Sequence, residues 1–193
     1  MTITVVAAAA CGGKDPYAPV ATYDTIATTF TVYPLRAAPP PYGSALDLHT
    51  PLTPSVVRPQ LIAYTSTSGT TTIAPNFDVA FDLDSVGNIL VYPPKLITSS
   101  LAAPRTAFQT STTAYTSLGN APDGTYQADS VIRVKVGQSV VVQAQGLSCS
   151  TGAPFYAKFV VDSISALTSA LYLRATIDQN CGFKSFAAGL PTS

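Results

Sequence analysis

The sequence predicts an all-β protein: an antiparallel β-sandwich, Ig-like or barrel-like, with little or no helix. Strong helix formers for exposed positions are scarce, because Glu is absent and Lys and Arg together number ten. Thr, Val and Tyr, which favour strands, are abundant. Short segments in which apolar and polar residues alternate recur along the chain, as they do in sandwiches. One such domain fits a chain of 193 residues that is 47% hydrophobic.

The N-terminal part of the predicted domain alternates strands with loops. Residues 23–33, rich in Thr, Ile, Phe, Val and Tyr, predict the first strand. Residues 34–59 contain seven prolines and predict an extended, partly polyproline surface loop, because proline cannot donate to a sheet ladder. A strand is expected over 56–64, with Pro59 at an edge or entry, and a Ser/Thr-rich connector over 65–75.

The clearest strand of the sequence is 77–83. Its apolar residues fall on one face, and Asp78, Ala80 and Asp82 fall on the other. A turn at 85–88 and a returning strand complete a predicted hairpin. The returning strand spans 89–92, and weaker strand character follows at 107–115.

The last third predicts a meander of four strands, with a tight turn at 137–138 between the first two. The strands span 131–136, 139–144, 155–162 and 171–177, and apolar and polar residues alternate in the first, third and fourth. With the earlier segments, the sequence predicts roughly eight to ten strands, a number typical of sandwiches and barrels.

The N-terminus carries a short apolar run, Val5 to Ala10, which is followed by Cys11 and two glycines. The run resembles the end of a bacterial lipoprotein signal peptide, although Ala8 stands where Leu is usual and the basic start is missing. The family resemblance is to small bacterial envelope lipoproteins of β-sandwich type. It implies a lipid anchor on Cys11 and a periplasmic or cell-surface location.

The resulting domain plan has three parts. A signal-like segment spans 1–11, a tether spans 12–22, and a single sandwich domain spans 23–190. The chain has three cysteines, and pairing of Cys149 with Cys181 would leave Cys11 as the odd thiol. Such a disulfide would indicate an oxidising compartment. Two buried free thiols are the alternative.

Composition argues against several functions. A net charge of zero without a basic cluster disfavours nucleic acid as a partner. No apolar run is long enough to predict a transmembrane helix. His49 is the only histidine, and no Gly-x-Ser-x-Gly segment occurs, so neither a catalytic triad nor a conventional zinc site is expected. We therefore predict no enzymatic activity.

A weak metal-binding pattern lies at the predicted hairpin. Asp82, Asp84 and Asn88 surround a Gly-containing turn and offer oxygen ligands of the kind that calcium prefers. The pattern lacks a third alternating ligand and a terminal Glu. The alternative is an acidic strand face that is solvated, or paired with Arg133 and Lys135 across the sheet.

The Pro-rich loop contains apolar residues that either fold back on the sandwich or dock on a partner; they are Leu35, Tyr42, Leu46 and Leu52. The predicted function is that of a non-catalytic extrinsic lipoprotein, a structural or protein-binding subunit at a membrane. One alternative is an accessory subunit that stabilises a membrane-embedded complex, such as a photosynthetic or respiratory assembly. The other is a carbohydrate- or calcium-binding adhesion module.

Overall fold

The computed structural model describes residues 20–39, 41–49, 53–65, 69–98, 106–145, 149 and 152–191. Within these ranges the chain forms twelve strands, one short helix and one 3-10 turn. The strands are β1 (Ile26–Val32), β2 (Ala45–Asp47), β3 (Ser55–Val57), β4 (Leu61–Thr65), β5 (Thr71–Pro75), β6 (Val79–Leu83), β7 (Ile89–Tyr92), β8 (Thr106–Ser111), β9 (Ile132–Val134), β10 (Ser139–Ala144), β11 (Phe155–Ile164) and β12 (Leu171–Asp178). Helix α1 spans Lys95–Thr98, and the 3-10 turn spans Tyr115–Ser117. The prediction of an all-β fold with little helix is confirmed.

The strands form two five-stranded sheets and a separate hairpin. The first sheet has the order β1-β12-β11-β10-β8, and the second has the order β3-β2-β6-β7-β9. Strands β4 and β5 pair only with each other. Every pairing is antiparallel.

The two five-stranded sheets pack face to face around one apolar core. Alternate residues of the strands point inward, and Phe81 of the second sheet meets Phe159 of the first edge-on, with ring centroids 5.4 Å apart. Burial of each such side chain contributes roughly 1.5–3 kcal/mol to folding. Fully buried members from the two sheets include Val32, Leu46, Val79, Phe108, Leu173 and Ile177.

Both sheets are also covered on their outer faces. On the second sheet, Phe77, Ala45 and Ala80 form a small cluster against which Leu35 and Ile97 pack. Phe77 precedes β6 and faces outward, whereas the sequence pattern had placed it on the core face. A similar outer cluster on the first sheet consists of Leu118, Ala121, Val141, Tyr156 and Phe186. Covered outer faces explain why the acidic face of β6 is buried rather than solvated.

The Pro-rich and Ser/Thr-rich segments contain strands that the sequence did not predict. The segment 34–59, expected to be an extended, partly polyproline surface loop, contributes β2 to the second sheet, and β3 lies where this segment overlaps the strand predicted at 56–64. Both strands are short and free of proline, so their N–H groups remain available for pairing. The expected connector 65–75 contributes β5, and the strand predicted at 56–64 is divided at Pro59 into β3 and β4.

The two ends of the sandwich differ in character. The turn end carries the β6–β7, β9–β10 and β11–β12 connections, and Gly137 N donates to Val161 O there at 2.9 Å. The opposite end carries the disulfide between Cys149 and Cys181 and is called the disulfide end. There the Gln179 side chain joins the two sheets by donating a hydrogen bond to Leu48 O at 3.0 Å. Among the residues that the structure describes, no helix is long and apolar enough to span a membrane.

Candidate functional site

The predicted disulfide is present. Cys149 follows β10 and Cys181 follows β12, and their sulfur atoms are bonded with the Cα atoms 5.6 Å apart. The alternative of two free thiols is therefore wrong. The predicted lipid anchor, Cys11, lies outside the described residues.

The three residues of the predicted calcium pattern fall into two separate hydrogen-bonded groups. Asp82 is buried on the outer face of β6, where Arg36 Nε lies 3.0 Å from Asp82 Oδ2. Asp84 lies after the strand and accepts bonds from the Asn88 side-chain amide at 2.8 Å and from the Asn88 backbone N–H at 2.8 Å. These donors occupy the carboxylate oxygens, so the arrangement does not resemble a calcium loop.

Asp84 is instead a turn residue. Its Oδ1 also accepts the N–H of Val86, which closes the β6–β7 connection. The hydrogen bonds from Asn88 and Val86, together with nearby Arg133, hold the pKa of Asp84 below its ordinary value. Arg133 Nε lies 3.8 Å from Asp84 Oδ2, so the basic strand β9 meets Asp84 rather than the buried acidic face of β6.

The predicted partner-binding residues have different environments. Leu46 is fully buried in the core, so of the two alternatives it folds back on the sandwich and does not dock on a partner. Leu35 is half-buried and packs on the outer cluster of the second sheet. Tyr42 is exposed and stacks on Tyr33, with ring centroids 4.7 Å apart. Leu52 lies outside the described residues.

An exposed hairpin, β4–β5, is an apolar feature that the sequence did not single out. Asn76 holds its base: the Asn76 side chain accepts the Gln60 N–H at 2.9 Å and donates to Arg58 O at 3.0 Å. Leu61 and Ile73 on the hairpin are 44% and 56% exposed. A two-stranded hairpin with exposed apolar residues is only marginally stable in water.

The hairpin is also uncharged. No charged residue occurs between Arg58 and Asp78. Proteins usually protect open strand edges with charged residues, especially Lys, or with Pro, because an unprotected edge pairs with other chains. The hairpin strands carry no charge, and their one proline, Pro75, is the last residue of β5. The hairpin edges thus have the features of a surface that another protein covers.

A second site lies at the disulfide end, where β2 and β6 bring two acidic residues together. The register pairs Ala45 with Ala80 and Leu46 with Val79. The next pair in this register is Asp47 with Asp78, so the two carboxyl groups project from the outer face of neighbouring strands. Like charges that face each other across strands repel, and a positive group between them is needed to offset the repulsion.

The His49 side chain lies between these two carboxyl groups. Its Nδ1 lies 3.0 Å from Asp78 Oδ2 and 3.1 Å from Asp47 Oδ1. Burial lowers the pKa of His49, but the hydrogen bond to Asp78 and the charges of Asp78 and Asp47 raise it further, so that the net pKa lies above the ordinary value. The two carboxylates therefore stabilise the protonated imidazole relative to that of a free histidine.

Sequence reasoning missed this cluster although one signal was present. Asp47 and His49 are two residues apart, which places both on one face of an extended chain. The surrounding prolines concealed the strand, and nothing in the sequence indicated that Asp78 pairs with it. No family model, curated protein or solved structure matches this chain.

Proposed function

We propose that this chain is a non-catalytic extracytoplasmic lipoprotein, held at a membrane by lipid on Cys11, which binds a protein partner through the hairpin β4–β5. The exposure of this uncharged hairpin supports the proposal. The disulfide fits the compartment, because disulfides persist in oxidising environments such as the periplasm and the cell surface.

The partner that fits the hairpin is a protein with an uncharged edge strand and apolar side chains beside it. Added main-chain hydrogen bonds along a hairpin edge would provide affinity, and contacts with Leu61 and Ile73 would provide specificity. A charged partner surface is disfavoured, because the hairpin offers no opposite charge to pair with it.

An accessory subunit of a membrane-embedded complex is the form of this function that suits the composition. Charged residues are 10% of the chain, well below the usual quarter or so, and the mean hydropathy is +0.29. A protein with few charges is well suited to a position against a large assembly, where little of its surface is hydrated. In this version of the proposed function, the partner protein is itself embedded in the membrane.

Mild-detergent extraction of native membranes tests the binding surface. We expect the unmodified chain to co-purify with a membrane protein in fixed stoichiometry, with cross-links that map to residues 61–75. Ile73→Lys should abolish the association, because a charge on the hairpin cannot be desolvated against an apolar partner.

Leu167→Lys is the matched control for this experiment. Leu167 is 96% exposed in the β11–β12 turn, at the turn end of the sandwich, and its replacement should leave the association intact. Elution of the unmodified chain from native membranes alone and as a monomer would contradict the proposal. Equal loss of binding in both variants would contradict the assignment of the hairpin.

The lipid anchor is tested by the intact mass of the protein purified from membranes. We expect residues 11–193 plus a diacylglycerol and an acyl group, with a gain of about 2 Da on reduction of the disulfide. An unmodified mass that includes Met1 would refute the anchor on Cys11.

A further inference from the structure

We propose that Asp47, His49 and Asp78 bind a divalent first-row transition-metal ion, for which Zn²⁺ is the natural probe. The three residues offer one nitrogen and two carboxylate oxygens, and these ligand atoms all lie within 4.8 Å of one another. The proposed ion lies between the outer-face side chains of β2 and β6, at the disulfide end of the sandwich.

The distances already approach those of a zinc site. With zinc–ligand bonds of about 2.0–2.1 Å, neighbouring ligand atoms of a tetrahedral site are about 3.3–3.4 Å apart. His49 Nδ1 lies 3.0 Å from one carboxylate oxygen and 3.1 Å from the other. Each of these two distances would need to grow by only a few tenths of an ångström to admit the ion, and the two carboxylate oxygens lie within 4.8 Å of each other.

Backbone hydrogen bonds hold the two ligand oxygens in place. Leu48 N donates to Asp78 Oδ2 at 2.7 Å, and His49 N donates to Asp47 Oδ1 at 3.1 Å. Metal-ligating carboxylates are characteristically fixed by such outer hydrogen bonds. Because Asp47 is the last residue of β2 and Asp78 immediately precedes its partner β6, the donor set is organised before an ion arrives.

Charge balance favours a divalent ion. The two carboxylates bring two negative charges into a site where the side chain of Asp78 is only 2% exposed. A divalent ion with a neutral imidazole balances both carboxylates. Burial of an uncompensated charge is costly, so the neutral arrangement is the more stable one.

The ligand types distinguish between metals. Imidazole nitrogen suits Zn²⁺, Ni²⁺, Cu²⁺ and related ions, whereas Ca²⁺ and Mg²⁺ take oxygen ligands in larger number. With three ligand atoms from the protein, the site leaves a position for water or for a group from a partner. Zn²⁺ should therefore bind, and Ca²⁺ should not compete with it.

Equilibrium dialysis of the tag-free, disulfide-intact chain against ZnCl₂, with metal analysis, tests the proposal. We expect one Zn²⁺ per chain and no displacement by excess Ca²⁺. His49→Gln and Asp78→Asn should each weaken the binding by about tenfold or more. Asp84→Asn is the matched control, because it makes the same chemical change in a carboxylate outside the cluster. Retention of full affinity in His49→Gln would overturn the proposal.

Two further measurements keep the result unambiguous. The Cys11→Ser variant should bind Zn²⁺ with the same affinity as the unmodified chain. Loss of binding in this variant would assign the metal to the Cys11 thiol instead. His49 is the only histidine, so its imidazole NMR signals can be followed in the unmodified chain even if a variant fails to fold. Signals that do not change during the Zn²⁺ titration would refute the proposal.

Discussion

At the scale of single residues, Asp178 is a buried carboxylate with one oxygen that lacks a partner. Its Oδ1 accepts the backbone N–H of Asn180 at 3.0 Å, whereas Oδ2 is buried without a hydrogen bond among the described residues. Burial raises the pKa of Asp178, and the hydrogen bonds from Asn180 offset only part of that shift. Asn180 also binds the segment that precedes β1, because its Oδ1 accepts the backbone N–H groups of Thr22 and Tyr23.

We predict that Asp178→Asn stabilises the protein at pH 7 by about 1–3 kcal/mol, because it removes a buried charge while leaving an acceptor for Asn180. The pKa of Asp178 is higher in the folded than in the unfolded state. Its protonated form therefore stabilises the fold at low pH, and this contribution is lost as the pH rises through the folded-state pKa. The gain from the substitution should accordingly shrink toward about pH 3, which thermal unfolding at both pH values measures.

Asp123→Asn is the control for this prediction. Asp123 is exposed, and its ion pair with Lys184 holds the pKa of the Asp123 carboxyl below its ordinary value. The opposite sign of this shift means that Asp123→Asn should give no gain in stability at pH 7. A lower melting temperature for Asp178→Asn than for the unmodified protein at pH 7 would contradict the prediction.

At the scale of elements, a single glycine allows the edge strand β3 to pair with β2. A Cβ atom at Gly43 would lie 2.5 Å from Val57 O and 2.8 Å from a methyl group of Val56. Neither the carbonyl oxygen nor the strand that carries it can move without breaking the pairing of Ala45 with Val57. The close approach of the two strands therefore depends on the missing side chain at Gly43.

We predict that Gly43→Ala destabilises the protein by roughly 1–3 kcal/mol, because the added methyl group overpacks the edge of the second sheet. Urea unfolding measures the change, and hydrogen exchange should show faster opening of β3 than of the first sheet. Gly119→Ala is the matched control, because a Cβ atom there meets nothing within 4 Å. Equal stability of the two variants would show that β3 adapts without cost.

A comparison of the strands shows which of them a local sequence pattern can predict. The hairpin β6–β7 and the strands β9 to β12 were predictable, because each presents an apolar face with period two. Strand β2 was not, and β3 was predicted only as part of one longer strand with β4, since β2 and β3 have three residues each and are surrounded by prolines. A three-residue strand is stabilised by its neighbours in the sheet, and those neighbours are distant in the sequence.

At the scale of the whole molecule, the disulfide links the ends of β10 and β12, which flank β11 in the first sheet. The two cysteines are 32 residues apart, so the bond restricts a sizeable loop of the unfolded chain. The core between the sheets does not depend on the bond, because its side chains come from ten strands. The bond therefore adds stability to a fold that the core already specifies.

We predict that the double variant Cys149→Ser, Cys181→Ser folds but loses about 3–4 kcal/mol of unfolding free energy, the amount that chain entropy gives for a loop of this length. Urea unfolding with and without reductant measures this loss. The unmodified protein should lose the same amount on reduction, whereas Cys11→Ser should change nothing. An unfolded double variant would show that the core alone does not specify the fold.

The residues of the candidate sites could be identified only from the tertiary structure. The sequence offered Asp47 and His49 on one face but gave no reason to place them beside Asp78, which lies 29 residues beyond His49. It marked Leu46 as a partner-binding residue, and the structure buries it, because the pairing of β2 with β6 turns that side chain into the core. The exposure of Leu61 and Ile73 likewise depends on the hairpin standing apart from both sheets.

By itself, the sequence determined the all-β class and the faces of the longer strands, and it favoured the pairing of Cys149 with Cys181. These properties follow from local alternation and from the small number of cysteines, which require no knowledge of the partner strands. Only the tertiary structure decided which outer faces are covered, which acidic residues meet the histidine and which hairpin stays exposed. These properties depend on register between strands, and register is fixed by packing across the whole sandwich rather than by neighbours in the chain.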